Sequence, residues 1–285
     1  MNELLPDNFP YRLKEIADPP EKLYREGTLP PEDHKWLAVV GSRKYTNYGR
    51  EVCEKLIEGL AGYPVVIVSG LALGIDALAH RSALKAGLPC VAVPGSGLDK
   101  RVLYPATNRN LANDILSAGG ALLSEFEPNF HATTWGFLKR NRIMAGLSDA
   151  VLVIEAETRS GSLVTSRFAT EYNRDVFTIP GSIFSSSSSG PHMLLRLGAT
   201  PITSPDDLIS ALGFEKAGEK KKQSALLYDS CSPEEKRVID ALHSPLERDE
   251  LITILDLSVS EANTLLSLME LKGLIKESSG EFCLL

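Results

Sequence analysis

The sequence predicts a doubly wound, mostly parallel α/β sheet followed by a small C-terminal domain, and three observations predict it. Val65 to Val68 is an unbroken β-branched run without polar alternation, as a strand buried on both faces requires. The run leads into Gly70 and Gly74, after which Ile75, Leu78 and Ala79 keep a helical period from about Asp76. The same alternation of strand-length and helix-length stretches recurs along most of the chain.

Such a strand, glycine loop and helix start leave unpaired N–H groups facing one point, with the positive end of the helix dipole behind them. That suits a phosphate. A tight turn whose glycines serve only packing is the other reading of this segment.

Taken in order, residues 1–35 form a lead-in rich in charge and proline (Pro6, Pro10, Pro19, Pro20, Pro30, Pro31), with one short helix from Tyr11 to Ile16. The main domain spans 36–214. Strands are expected at Trp36–Val40, Val65–Ser69, Cys90–Val93, Ala121–Ser124, Ala150–Glu155 and Val176–Ile179. Helices are expected between them at about Tyr48–Leu60, Thr107–Ser117, Thr134–Leu147 and Leu163–Asn173. Ser185 to Ser189 reads most simply as a flexible surface loop, and Pro205-Asp206-Asp207-Leu208 as the start of a closing helix. The run EKAGEKKKQ at 215–223 is charged and poor in apolar residues, as an exposed linker is. In 224–285, helices at Pro233–Leu242, Arg248–Leu255 and Ser260–Leu271 precede a hairpin of Leu274–Lys276 with Glu281–Leu284, the outline of a winged helix-turn-helix.

The 285 residues are 43% hydrophobic and 24% charged, ordinary values for a soluble chain of about two domains. No signal-peptide pattern opens the sequence and no apolar run nears the ~20 residues of a membrane span, so a cytoplasmic protein without membrane contact is expected. Cys53, Cys90, Cys231 and Cys283 lie far apart, as do the five histidines, so no metal, cofactor or His-based triad is expected. The net charge of −7 is unevenly spread. Residues 224–285 carry twelve acidic against five basic side chains, and the rest of the chain is balanced, which leaves room for a basic patch there.

Ligands of doubly wound sheets bind beyond the carboxyl ends of the strands. This sequence places Gly41-Ser42-Arg43-Lys44 there, then Ser69 to Gly74, Gly95-Ser96-Gly97 with Tyr104 to Arg109, Glu155 to Ser162, and Pro180-Gly181-Ser182. Neither the GxGxxG fingerprint nor the GxxxxGK[ST] loop occurs, which disfavours nicotinamide enzymes and nucleoside triphosphatases. Trp135 to Met144, WGFLKRNRIM, adds basic and aromatic character. Arg140 and Arg142 have two readings, phosphate contacts or partners of carboxylates such as Glu125 or Glu155. Phe137 and Trp135 likewise suit either a core or a stacking platform. With Arg43 and Arg109 on neighbouring loops, the set suits an anion groove with a base-stacking residue.

Gly41-Ser42-Arg43, Ser69-Gly70 with Gly74 to Ala77 and Ala79-His80, Gly95 to Asp99 with Tyr104 to Asn108, Phe137 to Leu147, Ser160 to Leu163 and Pro180-Gly181 together resemble the DprA/Smf family of bacterial DNA-processing proteins. The motifs keep the family's order and cover about Leu37 to Leu212. The resemblance implies a Rossmann-like domain that binds and shields incoming single-stranded DNA in natural transformation. It also implies help in loading a RecA-type recombinase, usually as a homodimer. On that reading Arg43, Arg109, Lys139, Arg140 and Arg142 meet phosphates, while Ser42 and the backbones of Gly70, Gly161 and Ser162 add donors. Asn108 and Asn141 bond phosphates or base edges, and Phe137 stacks on a base. No nucleophile is needed and no enzyme is expected. The alternative is a phosphoribohydrolase-like enzyme using Glu155 or Glu171, although Thr158 to Leu163 departs from the PGGxGT-type motif of such enzymes.

The candidate recognition helix of the last domain, Ser260 to Glu270, holds no Lys or Arg. An acidic domain with such a helix repels phosphate, so a protein-contacting or regulatory module is expected there.

Overall fold

In the computed structural model, which describes residues 2–215, 231–242, 246–255, 257–272, 274–278 and 281–284, the central strands send alternate side chains into two apolar layers. The chain divides into the units Met1–Phe214 and Glu215–Leu285. The first begins with β1 (Asn2–Leu4), α1 (Tyr11–Lys14), β2 (Leu23–Gly27), β3 (Lys35–Val40), α2 (Asn47–Glu58), β4 (Val65–Ser69) and α3 (Ile75–Lys85). It continues through β5 (Cys90–Ala92), α4 (Arg109–Ser117), β6 (Ala121–Ser124), α5 (Thr134–Leu147), β7 (Ala150–Val153) and α6 (Ser162–Glu171). It closes with β8 (Asp175–Thr178), α7 (Ser189–Arg196), β9 (Thr200–Pro201) and α8 (Pro205–Ala211).

The sheet order is β1-β2-β6-β5-β4-β3-β7-β8-β9, parallel from β6 to β9 and antiparallel at β1 and β2. Leu37 and Val39 of β3, with Val65 and Ile67 of β4, pack in the layer shared with α2, α3 and α4. Their neighbours Trp36, Ala38, Val40, Val66 and Val68 pack in the opposite layer with α1 and α5. A strand apolar on both faces therefore has a helix layer to fill on each side, and the fold is the doubly wound one. Each of the six expected strands forms, with ends within two residues of the expected ones.

Strand β3 lies in the middle, with β4, β5 and β6 stacked outward on one side and β7, β8 and β9 on the other. The crevice where the order reverses, beyond the carboxyl ends of β3 and β7, is the topological switch point.

Three segments differ from the sequence reading. Residues 1–35 are part of the sheet unit and contribute two antiparallel strands at one end of the sheet besides a helix. They are fixed by Arg12, whose Nε donates to Asp149 Oδ1 at 2.9 Å and whose other nitrogens donate to the carbonyls of Glu32 and His34. The serine run is not a free loop. Ser187 and Ser188 are buried in a short 3₁₀ turn, and Ser187 Oγ donates to Glu155 Oε1 at 3.0 Å. Beyond it, α7 and β9 extend the sheet by one more strand.

The second unit contains α9 (Pro233–Ala241), β10 (Leu246–Glu247), α10 (Arg248–Leu255), α11 (Val259–Leu271), β11 (Ile275–Ser278) and β12 (Glu281–Leu284). The three strands pair in the order β10-β12-β11 over a core that includes Val238, Leu251, Leu266, Met269, Ile275 and Phe282. Capping boxes at Ser232 with Glu235 and Ser258 with Glu261 start α9 and α11. This is a winged helix. The linker expected at 215–223 lies, from residue 216 on, outside the described residues.

Candidate nucleic-acid interface

At the switch point Gly41 and Arg43 follow β3, Ala72 follows β4, and Ser160 to Ser162 follow β7, and all of them line one cavity of about 310 Å³. Helix α5 closes one wall with Thr134, Phe137, Leu138, Arg140 and Asn141. The loops need their glycines. A Cβ on Gly74, which has φ +85°, would stand 2.2 Å from the carbonyl oxygen of Ser42, and Ile75 N donates to that same oxygen at 3.1 Å. A Cβ on Gly95 would stand 2.4 Å from the Phe137 ring.

The exposed Arg43 guanidinium lies over the Phe137 ring, 5.1 Å from its centroid, and Tyr104 packs on the same ring at 5.5 Å. A cation held on an aromatic face at the mouth of a cavity can meet a phosphate, and the ring can meet a base. Helix α6 starts at the same cavity. Nothing stands within 4 Å of where a Gly161 side chain would begin, so its backbone is open to a ligand. Thr165 Oγ1, in the first turn of α6, is buried, lines the cavity and has no hydrogen-bond partner among the described residues.

Behind this rim lies a buried polar frame. Arg140 Nη1 donates to Gly70 O at 2.6 Å and to Val93 O, and its Nε donates to Asn141 Oδ1 at 3.2 Å. Gly70 N donates to Asp76 Oδ2 at 3.1 Å. Burial holds the Arg140 guanidinium down to about 10 and holds the Asp76 carboxyl above its usual range, each charge partly offsetting the other's desolvation. Asn141 Nδ2 donates to Gly161 O at 3.1 Å, and Ser162 Oγ donates to Gly41 O at 2.9 Å. The loops after β3, β4, β5 and β7 are thereby tied to α5 and α6.

The remaining singled-out side chains are placed as follows. Ser42 Oγ donates to Lys44 O at 2.8 Å and shapes the loop that carries Arg43. Asn108 is buried and donates to the carbonyls of Leu71 and Ala72, holding Leu71 at φ +57°. Arg109 donates to the carbonyls of Leu103 and Arg101. Arg142 is buried on the far side of α5, paired with Glu125 at 2.6 Å. Lys139 is exposed and lies 3.3 Å from Glu125 Oε2. Glu155, the first candidate for an acid catalyst, is buried and accepts from Thr46 N, Thr46 Oγ1 and Ser187 Oγ. Glu171 pairs with Arg167 on the surface. Asp76, Leu71, Thr165 and Tyr104 were not singled out as site residues. Leu71 and Tyr104 lie in rim segments legible in the sequence, Asp76 is a carboxylate at a helix start beside glycines, and Thr165 carries no such signal.

A family model described as DNA recombination-mediator protein A matches residues 4–213, and one described as the DprA winged helix domain matches residues 222–281. Protein Smf of Escherichia coli is 43% identical over 206 residues, which cover 72% of this chain and 54% of that protein. The chain thus spans about half the length of that relative. DNA processing protein DprA of Streptococcus pneumoniae is 44% identical over 211 residues, 74% of this chain and 73% of that protein. The crystal structure of the pneumococcal protein superposes with a TM-score of 0.68 at 41% identity, covering 75% of each chain. A structure of DNA processing protein A from Helicobacter pylori, described for its single-stranded DNA binding mode, gives a TM-score of 0.65 at 32% identity over 74% of this chain and 94% of that one.

Proposed function

The chain belongs to the DNA recombination-mediator protein A (DprA/Smf) family, and from that membership we propose that it binds single-stranded DNA at the cavity between β3 and β7. The observation that carries the proposal is the exposed Arg43 guanidinium over Phe137 at the mouth of a cavity reached by the start of α6. The relative from Helicobacter pylori, described for its single-stranded DNA binding, supports it.

Within the interface two tasks divide. Arg43, Phe137 and Lys139, with the backbone of Gly161, meet the DNA, while Ser42 and Ser162, whose hydroxyls donate to the carbonyls of Lys44 and Gly41, shape the loops. Arg140, Asn141, Gly70, Asn108, Arg109 and Arg142 shape the walls, because their donors are already engaged inside the fold. Phosphates are held by charge and bases by stacking, so binding is tolerant of sequence. Glu155 spends its lone pairs on Thr46 and Ser187, which supports a binding protein over a hydrolase. Competition of a labelled single-stranded oligonucleotide by unlabelled single and double strands tests the proposal. Single strands are expected to compete better, and equal competition would count against it.

The cellular role that follows is protection of incoming single strands in the cytoplasm and their transfer to a RecA-type recombinase during natural transformation. A second copy of the chain is the proposed partner at α7, where Leu197 is 76% exposed beside the edge strand β9 and a hollow lined by Leu163, Val176 and Met193. Sedimentation of the wild type and of Leu197→Glu tests this. A monomeric wild type would remove it.

A further inference from the structure

Trp135, at the start of α5, is 54% exposed, an unusual position for the largest apolar side chain. It is held in place from below. Its ring meets Phe126 edge-on at 5.6 Å and Phe130 at 6.2 Å, and those two stack on each other at 4.5 Å. One turn along the helix, Lys139, which also lies 3.3 Å from Glu125 Oε2, sets its exposed ammonium over the indole, 5.3 Å from the ring centroid. The indole is therefore a braced, partly open aromatic surface with a cation beside it. Its chain neighbour Thr134 lines the cavity that Arg43 and Phe137 face.

Charge beside the ring argues for the occupant. A protein partner's apolar side chain gains nothing from an ammonium at the edge of its seat. A nucleobase joined to a phosphate gains from both, since every base has a π-face and every nucleotide a negative charge. We propose that Trp135 is a second base-stacking site, which receives a nucleotide of the strand whose neighbouring part enters the cavity at Phe137. The inference rests on the single-stranded DNA reading above.

The chain carries only two tryptophans, and the other, Trp36, is wholly buried in β3. Tryptophan emission is thus a direct reporter of Trp135. The test follows emission and the anisotropy of a dye-labelled oligothymidylate in the same titration of the full chain, for the wild type, Trp135→Phe and Trp135→Ala. The wild type is expected to lose emission in step with the rise in anisotropy, and Trp135→Phe is expected to show no loss from its remaining Trp36. Trp135→Ala is expected to bind about tenfold more weakly, within the range of aromatic stacking, with an unchanged salt slope because no charge is removed. Trp135→Phe keeps most of the affinity. A rise in anisotropy without quenching would overturn the second stacking site and leave DNA binding intact. No rise at all would overturn both. The quenching arm needs no variant, so the proposal stays testable even if Trp135→Ala fails to fold.

Discussion

The guanidinium carbon of Arg43 lies 5.1 Å from the centroid of the Phe137 ring, and the ring fits there because residue 95 has no side chain. Two loops and one helix have to agree for this to happen. Arg43 comes from the loop after β3, Gly95 from the loop after β5, and Phe137 from the second turn of α5. Gly95→Ala should therefore act as a binding variant, since its Cβ would fall 2.4 Å from the ring and push it aside. Single-strand affinity is expected to fall by about 1–3 kcal/mol, the range of one lost stacking contact, and Phe137→Ala should match it. Fluorescence anisotropy checks both. Full affinity in Gly95→Ala would place the base elsewhere.

A different outcome is expected at Arg140, three residues further along α5. Its charge holds the carbonyls of Gly70 and Val93 and offsets the buried Asp76. Arg140→Met leaves the carbonyls of Gly70 and Val93 without that donor and removes the first of the charges that offset Asp76, so the variant is expected to unfold at a lower temperature. The second change Asp76→Asn should return part of the loss. Thermal unfolding of the two single variants and the double one closes the cycle. Simple additivity would mean that the two groups do not interact.

The contrast between Arg43 and Arg140 shows what the sequence could tell. Val65 to Val68 announced a doubly buried strand because the pattern is local, and the strand ends came within two residues. The cluster FLKRNRIM announced basic character near the sheet rim for the same reason. Which of its cations faces solvent was not legible, because it depends on the rotation of α5 against β4 and β5. The helix turns Arg140 and Arg142 inward, to carbonyls and Glu125, and leaves Lys139 outside. The antiparallel strands β1 and β2 were hidden for another reason. β2 pairs antiparallel with β6, far along the chain, and no local period records that contact.

His80, on α3 behind the site, gives a pH dependence. Burial, with no full hydrogen bond at either ring nitrogen among the described residues, pushes it down to about 4 from 6.5, against a smaller opposing pull from the Ser69 backbone. The unfolded chain takes up this proton as the pH falls below 6.5 and the folded chain resists until about 4. Stability from His80 is therefore present above pH 6.5 and is lost between the two values, on the order of 3 kcal/mol in all. Asp76, raised by burial, acts in the opposite sense, so the comparison has to be with His80→Leu. Denaturation of both proteins from pH 7 to pH 4 should show the wild type losing stability relative to the variant. Parallel curves would mean that His80 is not buried in its neutral form.

Removing residues 224–285 should leave single-strand affinity unchanged or raise it. That unit carries an excess of acidic side chains, and α11 has no Lys or Arg from Val259 to Leu271. Anisotropy on the shortened chain checks this, and a tenfold loss would make the winged helix part of the DNA-binding surface.

The central claim, a single-strand site at the Arg43 and Phe137 rim, is tested most directly by titrating labelled single-stranded and double-stranded oligonucleotides at several salt concentrations with the wild type and Arg43→Ala. Preference for single strands is predicted, with weaker binding by the variant and a log–log salt slope shallower by about 0.7, as one lost phosphate contact gives. Equal affinity and equal slope for the two proteins would contradict the account.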